Sequence, residues 1–293
     1  MSFNVIGIGE ILWDLLPSGK QLGGAPANFA YHARALGARS RVISRVGQDS
    51  LGTEILQRLQ ALGLPIAEIQ VDPSAPTGTV SVELAADGQP RFTIHENVAW
   101  DRLALEKDAL AAVAEADAVS FGTLAQRCEP ARGTIQALLA AVRPGALRIL
   151  DINLRQNYFS REIIETSLRL ANIVKFNDSE LPVLADMLGL RGNVRRQIKQ
   201  LARQHNQRLV CLTRGAAGSL LYSGGQWADD SSQPVAVKDT VGAGDAFTAA
   251  LTVGVLDGKP LDAINRRANQ VARYVCSCEG ATPPLQERLK AKG

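Results

Sequence analysis

Short β-branched runs alternate with stretches of helical periodicity along most of the 293 residues, and no other feature constrains the fold as strongly. Parallel neighbours need a crossover connection, usually a helix, so repeated βα units predict an α/β protein with a mostly parallel, helix-covered sheet. Strands are predicted at 3–9, 41–46, 118–121, 148–152, 173–176, 209–213 and 219–222. Helices are predicted at 27–36, 51–62, 105–114, 134–142, 162–170, 194–204, 246–256 and 261–276. Leu51, Ile55, Leu59 and Leu62 recur at spacings of three to four, as a core-facing helix requires.

Two regions break the rhythm. Residues 11–21 carry Pro-Ser-Gly-Lys between extended flanks, which reads as a hairpin. TGTVSVELA at 77–85 alternates with period two, and Asp87-Gly88 then turns the chain into PRFTI at 90–94. Together they predict a small β lobe built from separated insertions, hinged on the main body. No repeat, low-complexity segment or interdomain linker appears, so 1–293 reads as one domain with this lobe at about 11–22 and 77–96.

Composition narrows the function classes. The charge is +3, from 32 Lys+Arg against 29 Asp+Glu, too even for a nucleic-acid-binding stripe. No apolar run reaches the ~18 residues that a membrane-spanning helix needs. MSFNVIGIGE reads as a core strand and not as a secretory signal, and Cys128, Cys211, Cys276 and Cys278 form no CxxC pair. The expectation is a cytoplasmic protein with neither a nucleic-acid nor a membrane partner. Gly7-Ile8-Gly9 is followed by Leu12 where a dinucleotide fingerprint needs its third glycine, and no Walker-type loop is present.

Chemistry concentrates near the C-terminus. Asp239-Thr240-Val241-Gly242-Ala243-Gly244-Asp245 runs straight into the helical AFTAALTVGVL. A D-T-x-G-A-G-D match by chance in such a chain is on the order of 1 in 10⁵. Glycines at 242 and 244 predict a tight turn with bare N–H groups, and the helix start adds positive potential, so the turn reads as an anion hole. A carboxylate beside such a hole is what phosphoryl transfer to an alcohol requires. Asp245 could equally be a first-turn carboxylate, and its place at a positive helix end predicts a low pKa. A late proton transfer in a loose transition state tolerates so weak a base.

A second constellation lies near the N-terminus. Gly23-Gly24 precedes Ala25-Pro26-Ala27-Asn28, with Pro26 placed for a first helical turn and Asn28 offering donor and acceptor. Asp14 stands alone among Ile11, Leu12, Trp13, Leu15 and Leu16, where a carboxylate needs a partner such as sugar hydroxyls. Trp13, His95 and Trp100 are open to ligand stacking or plain packing.

GGAPAN and DTVGAGDAF resemble the two signatures of the PfkB (ribokinase-like) carbohydrate kinases, and the likeness extends over essentially the whole chain. GEILWDLLP followed by LGGAPANFAYHARALG is most similar to the bacterial fructokinase branch. The resemblance implies a ribokinase-like three-layer α/β/α domain with a mostly parallel central sheet and a small β-sheet lid. It implies transfer of the γ-phosphoryl group of ATP to a sugar, with Mg²⁺ and a stimulating K⁺. Asp245 would be the catalytic base, Gly242, Ala243 and Gly244 the anion hole, and Asp14, Gly24 and Asn28 the sugar ligands. Asp151-Ile152-Asn153-Leu154-Arg155 is similar to the fructokinase D-P-N-x-R run, with Ile152 in place of Pro, and implies sugar or phosphate contacts for Asn153 and Arg155.

Asn177-Asp178-Ser179-Glu180 resembles the family's N-x-x-E motif, in which Glu180 would help hold Mg²⁺ through water. The same residues suit a capping box, but Pro182 would then fall inside the helix, so the helix is expected to start at Ser179 or later and leave Asn177 free. Thr213, Gly215 and Gly218 resemble the nucleotide loop or form a plain hairpin turn. Asp239 would lie by ATP and, with the Gly280-Ala281 carbonyls, by K⁺. Fructose, phosphorylated at its terminal hydroxyl, is the expected acceptor. Ribose, 2-keto-3-deoxygluconate, another hexose or a nucleoside are its rivals, as is a non-catalytic sugar or nucleotide sensor. Lid strands that cover each other's edges across a two-fold axis imply a homodimer.

Overall fold

A computed structural model describes residues 2–17, 19–84, 90–231 and 235–290. The chain runs β1 (Asn4–Ile8), β2 (Leu12–Leu16), β3 (Gly19–Gly23), α1 (Ala25–Ala35), β4 (Arg39–Gly47), α2 (Ser50–Ala61), β5 (Ile69–Asp72), β6 (Gly78–Leu84) and β7 (Pro90–Ile94). It continues α3 (Lys107–Ala114), β8 (Ala118–Gly122), α4 (Ala131–Ala141), β9 (Leu147–Asp151), α5 (Arg161–Leu170), β10 (Ile173–Asn177), α6 (Leu181–Leu188) and α7 (Val194–Gln204). The last elements are β11 (Leu209–Thr213), β12 (Ser219–Ser223), β13 (Gln226–Asp230), α8 (Ala243–Leu256) and α9 (Leu261–Cys276).

Among the described residues, nine strands form one sheet in the order β13-β12-β11-β10-β9-β8-β1-β4-β5. From β5 to β11 all neighbours are parallel, and β12 and β13 add an antiparallel edge. Side chains alternate faces along a strand, so each parallel strand feeds two cores. Ile6, Ile8, Leu150, Val174 and Phe176 pack toward α3 to α7. Val5, Leu147, Ile149, Ile173 and Cys211 pack toward α1, α8 and α9. The result is the three-layer α/β/α arrangement that the alternation predicts.

A smaller sheet has the order β3-β2-β6-β7, with β2 and β6 parallel and both outer pairs antiparallel. Both predicted insertions therefore lie in one four-stranded sheet; the Asp87-Gly88 turn lies outside the described residues. Strands β5 and β13 escaped the sequence reading, being four or five residues long with Asp at their ends. Three helices begin earlier than predicted, at Ala25, Ala131 and Ala243, because their first turns are Gly-, Ala- or Pro-rich and carry little apolar periodicity. No described helix is long and apolar enough to cross a membrane.

Candidate active site

The chemistry-bearing residues gather at the C-terminal ends of the parallel strands, where open α/β sheets bind ligands. Helix α8 begins there. Gly242 caps it at φ 75°, and a methyl group at this position would lie 2.5 Å from the Ala281 carbonyl oxygen. Only glycine meets both demands. Gly244 differs from the expectation: it lies in the first helical turn without a positive φ, and its missing methyl makes room for Lys175 Nζ, 3.1 Å from where a Cβ would stand. The Ala243 N–H turns to the Thr240 carbonyl at 3.3 Å, leaving those of Gly242 and Gly244 as the better anion donors.

Asp245 follows in the same turn. Asn28, one turn into α1 and only 4% exposed, donates from Nδ2 to Asp245 Oδ2 at 2.8 Å. The other end of that amide, Oδ1, is buried with no partner among the described residues, an acceptor ready for a hydroxyl. Burial raises the Asp245 carboxyl to about 6, with the Asp151 charge adding to the rise, while Asn28, Lys175 and Arg155 oppose it. The low value expected from the helix dipole is thus overturned, because loss of water outweighs the half-charge of the helix end.

The sugar-side candidates come from α1, β2 and the loop after β9. Gly24 caps α1 at φ 115°, where a methyl would stand 2.5 Å from the Glu10 carbonyl oxygen. Asp14, on β2, lies directly against Gly23, whose missing side chain makes room for its carboxylate. Burial raises Asp14 to about 6, and Arg155 opposes the rise. Asn153 follows β9 with φ 42° and, with Pro26, Phe29, Phe121, Asp151 and Asp245, lines a narrow cleft. More voluminous grooves lie elsewhere, one of about 570 Å³ beside Leu181 and Val194, but Asp245 does not line them. Arg155 is exposed, forms no ion pair among the described residues, and sits within electrostatic reach of Glu10, Asp14 and Asp245.

The residues named for ATP and metal occupy the neighbouring strand ends. Asn177 is not free. Its Oδ1 accepts from the Glu180 N–H at 2.9 Å, and Glu180 Oε2 accepts from the Asn177 N–H at 2.8 Å, a reciprocal exchange that closes the turn before α6 starts at Leu181. Pro182 thus falls second in the helix, where its missing N–H costs nothing. Glu180 Oε1 also accepts from the Leu154 N–H at 2.8 Å, tying this turn to the Asn153–Arg155 loop. Burial, with Asp151 nearby, raises the Glu180 carboxyl.

Thr213, Gly215 and Gly218 form the β11–β12 hairpin connection, closed by the Arg214 N–H on the Gly218 carbonyl at 2.8 Å. It abuts the Asn177 turn through the Asp178 N–H on the Thr213 carbonyl at 2.9 Å. Asp239 accepts from the N–H groups of Val241 and Gly280, which holds the 280–281 segment beside the anion turn. The Ala281 carbonyl there accepts from His32 Nε2 at 2.9 Å, and burial holds His32 neutral, lowered to about 4.

Against this geometry the comparisons are decisive. The family model for pfkB family carbohydrate kinases matches residues 18–288. The chain belongs to the PfkB carbohydrate kinases. An uncharacterized sugar kinase from Pyrococcus horikoshii is 31% identical over 98% of this chain and 95% of its own, and its crystal structure superposes with a TM-score of 0.79 over 95% and 93%. A fructokinase of Salmonella typhimurium is 30% identical over 89% of this chain and 88% of its own. Fructokinase from Vibrio cholerae, solved with fructose, ADP and calcium, is 26% identical with a TM-score of 0.80 over 99% and 98%. The large, mostly parallel sheet with a separate smaller sheet is therefore a ribokinase-like fold, and the chain is a sugar kinase by family.

Three buried ionisable residues at this PfkB site were given no role in the sequence reading, Asp151 among them although it opens the Asp151–Arg155 run. Glu10, 4% exposed, connects β1 to β2; burial raises it to about 7, and its Oε2 has no partner among the described residues. Asp151 and Lys175, 6% and 8% exposed, form an ion pair at 2.8 Å across β9 and β10. A lysine inside the otherwise apolar Ile173–Phe176 run was their signal, since a charge in a strand buried on both faces demands a neighbour. Trp13 and Trp100, by contrast, are core: Trp13 Nε1 donates to the Leu51 carbonyl at 3.0 Å, and the Arg127 guanidinium stacks over Trp100 at 4.0 Å. His95 Nε2 lies 2.6 Å from the Ser81 hydroxyl on the smaller sheet.

Proposed function

We propose that this sugar kinase transfers the γ-phosphoryl group of ATP to the terminal hydroxyl of fructose, giving fructose 6-phosphate and ADP. One observation carries the reading: a buried carboxyl titrating near 6, Asp245, stands in the first turn of α8 beside the Gly242–Gly244 N–H groups and under the unpartnered Asn28 acceptor. A base should be mostly ionised at working pH yet still willing to take a proton, and a value near 6 meets both needs. The sugar hydroxyl donates its proton to Asp245 as its oxygen bonds the γ-phosphorus. The bond from that phosphorus to the β–γ bridging oxygen breaks, and ADP leaves with the electron pair. Asp245 then returns its proton to solvent.

In this reading Asp14, Gly24, Asn28, Asn153 and Arg155 hold the sugar, and the β2-β3-β6-β7 sheet is the lid of a single kinase domain. Asn177, Thr213, Gly215, Gly218 and Asp239 border ATP, Asn177 through its turn and not as a free amide. Glu180 fits Mg²⁺ only through the ion's water shell, because both its oxygens already accept backbone N–H groups and Mg²⁺ readily keeps its waters. The metal would neutralise charge on the β- and γ-phosphates. The carbonyls at 280–281, beside Asp239, are hard oxygen donors suited to K⁺. Relatives that bear the name fructokinase, one of them solved with fructose, support the choice of sugar.

The experiment is a coupled ADP-release assay over fructose, other hexoses, ribose, 2-keto-3-deoxygluconate and nucleosides. Fructose should give the highest kcat/KM. Another acceptor exceeding it would replace fructose in this reading, and ADP release with none of them would leave the non-catalytic sensor.

A further inference from the structure

The turn that carries Asp245 rests on a buried ion pair whose role goes beyond folding. Asp151 ends β9 and Lys175 is the middle residue of β10; they are register partners on adjacent parallel strands. Strand parity points both toward the α8 layer, because Leu147, Ile149 and Ile173, at even spacing from them, pack against that layer. Lys175 Nζ reaches Asp151 Oδ2 at 2.8 Å and Oδ1 at 3.1 Å. The Thr248 hydroxyl, one turn beyond Gly244 on α8, lies 3.1 Å from Asp151 Oδ2. Gly244 leaves the gap that the ammonium fills. A buried ion pair seldom adds stability over apolar residues of the same volume. Its placement directly beneath the first turn of α8 is therefore the property to be explained.

We propose that the Asp151–Lys175 pair is the counter-charge element of the catalytic base: its ammonium favours the proton-accepting carboxylate form of Asp245, its carboxylate opposes that form, and the balance sets when the base is ready. Both are positioning residues, acting on substrate through Asp245, and the assignment rests on Asp245 being the base. The other charged or polar groups facing Asp245 are Asn28 from α1, Arg155 from the loop after β9 and Glu10 from the β1–β2 connection; Glu180 faces Lys175. Asp151 raises the Asp245 carboxyl and Lys175 lowers it, while Lys175 itself is raised by Asp151 despite its burial and so stays a cation.

The test follows the Asp245 side-chain carbon by ¹³C-aspartate NMR through a pH titration of the protein without substrate, assigned with Asp245→Asn. The pH dependence of kcat on the best acceptor runs in parallel. In Lys175→Met the midpoint should rise by about one pH unit, the scale of a nearby opposite charge, and the acidic limb of kcat should rise with it. Asp151→Asn should lower both, and the double variant should return the midpoint to within about half a unit of the parent. Midpoints that move in the same direction in both single variants, or do not move, overturn the proposal. Should Lys175→Met unfold, Lys175→Gln takes its place: it removes the ammonium but keeps an amide N–H donor for Asp151, and it must raise the midpoint, an unmoved value counting against us. Midpoints that split as stated in a protein that phosphorylates no acceptor would overturn the kinase reading and leave the electrostatic assignment standing. Turnover with unmoved midpoints would do the reverse.

Discussion

Asp245 and Asp14 are both carboxyls that burial raises to about 6, yet they are built into the molecule in different ways. Asp245 belongs to the first turn of a 14-residue helix, takes a hydrogen bond from α1, and stands over the Asp151–Lys175 pair on the central sheet. Asp14 sits in the smaller sheet, whose outward side chains include Leu15 and Phe92 at 37% and 55% exposure. That sheet is tied to the body by side chains that reach the carbonyls of β7 and its flank: Gln156 on Phe92 at 2.6 Å, Tyr158 on Ile94 at 3.2 Å and Arg127 on His95 at 2.6 Å. The floor is fixed by packing on two faces, whereas the smaller sheet packs on the body through residues such as Leu12, Trp13, Val80 and Ile94 and adds these polar ties along β7. A transferring group needs a base that does not move, and a sugar needs a cover that does.

The largest effect should come from the floor. Asp245→Asn keeps the shape and the Asn28 contact but removes proton acceptance, so kcat should fall by about 10³-fold with the sugar KM within about two-fold. In the parent enzyme kcat/KM should decline below about pH 6, because a protonated Asp245 cannot accept the hydroxyl proton. Steady-state kinetics from pH 5 to 9 would check both. Near-parent turnover in the variant would remove Asp245 from the chemistry.

The second effect concerns what the floor costs in stability. Glu10 is raised from 4.5 to about 7, so its folded-state ionisation penalty is fully present above pH 7 and gone below pH 4.5. Glu10→Gln keeps the size and removes that penalty. Urea unfolding should show a gain approaching 3 kcal/mol at pH 8 and about 1 kcal/mol at pH 5. A gain of the same size at both pH values would mean that packing, not charge, is responsible.

The sequence revealed the floor's signature and missed its support, for a physical reason. Gly242, Gly244 and Asp245 are contiguous, so their pattern is visible before folding. Glu10, Asp151 and Lys175 come from separate segments and acquire meaning only when the sheet order sets β9 beside β10 and the Gly24 turn over the Glu10 backbone. The parallel core was legible because burial on both faces leaves unbroken apolar runs. The smaller sheet was legible from the period-two alternation at 77–85. The low value expected for Asp245 and the freedom expected for Asn177 failed together. Both judged a residue by its local helix and turn, whereas solvent exclusion and a reciprocal bond with Glu180 decide them.

On the lid side, Asp14→Asn should act on binding before chemistry. If Asp14 holds the sugar as proposed, charge-assisted bonds to its hydroxyls worth about 1.5–3 kcal/mol together are lost, so the sugar KM should rise by about 10- to 100-fold with a smaller loss in kcat. The ATP KM should stay unchanged, and a sugar-independent fall in ATP affinity would place Asp14 elsewhere than on the sugar. Because the Asp14 carboxyl is raised to about 6, the parent's sugar KM should also climb as pH falls through 6, a climb that the Asn variant lacks.

The smallest effect separates the two constructions most cleanly. The Tyr158 hydroxyl lies 3.2 Å from the Ile94 carbonyl and 2.8 Å from Glu96 Oε1, and its ring stacks on Arg127 at 4.7 Å. Tyr158→Phe keeps the stacking and deletes only the polar tie. One exposed hydrogen bond is worth about 0.5–1.5 kcal/mol, so global stability should fall by no more than about 1 kcal/mol. If the lid is held by such ties, the sugar KM should rise about two- to five-fold while kcat at saturating sugar stays level, because closure is penalised and the floor is untouched. Tyr158 shares its loop with Asn153 and Arg155, and the Leu154 N–H anchors that loop to Glu180. A fall in kcat with no change in KM would therefore mean that the tie serves the phosphate side through Glu180, and that lid and floor are less separate than their construction implies.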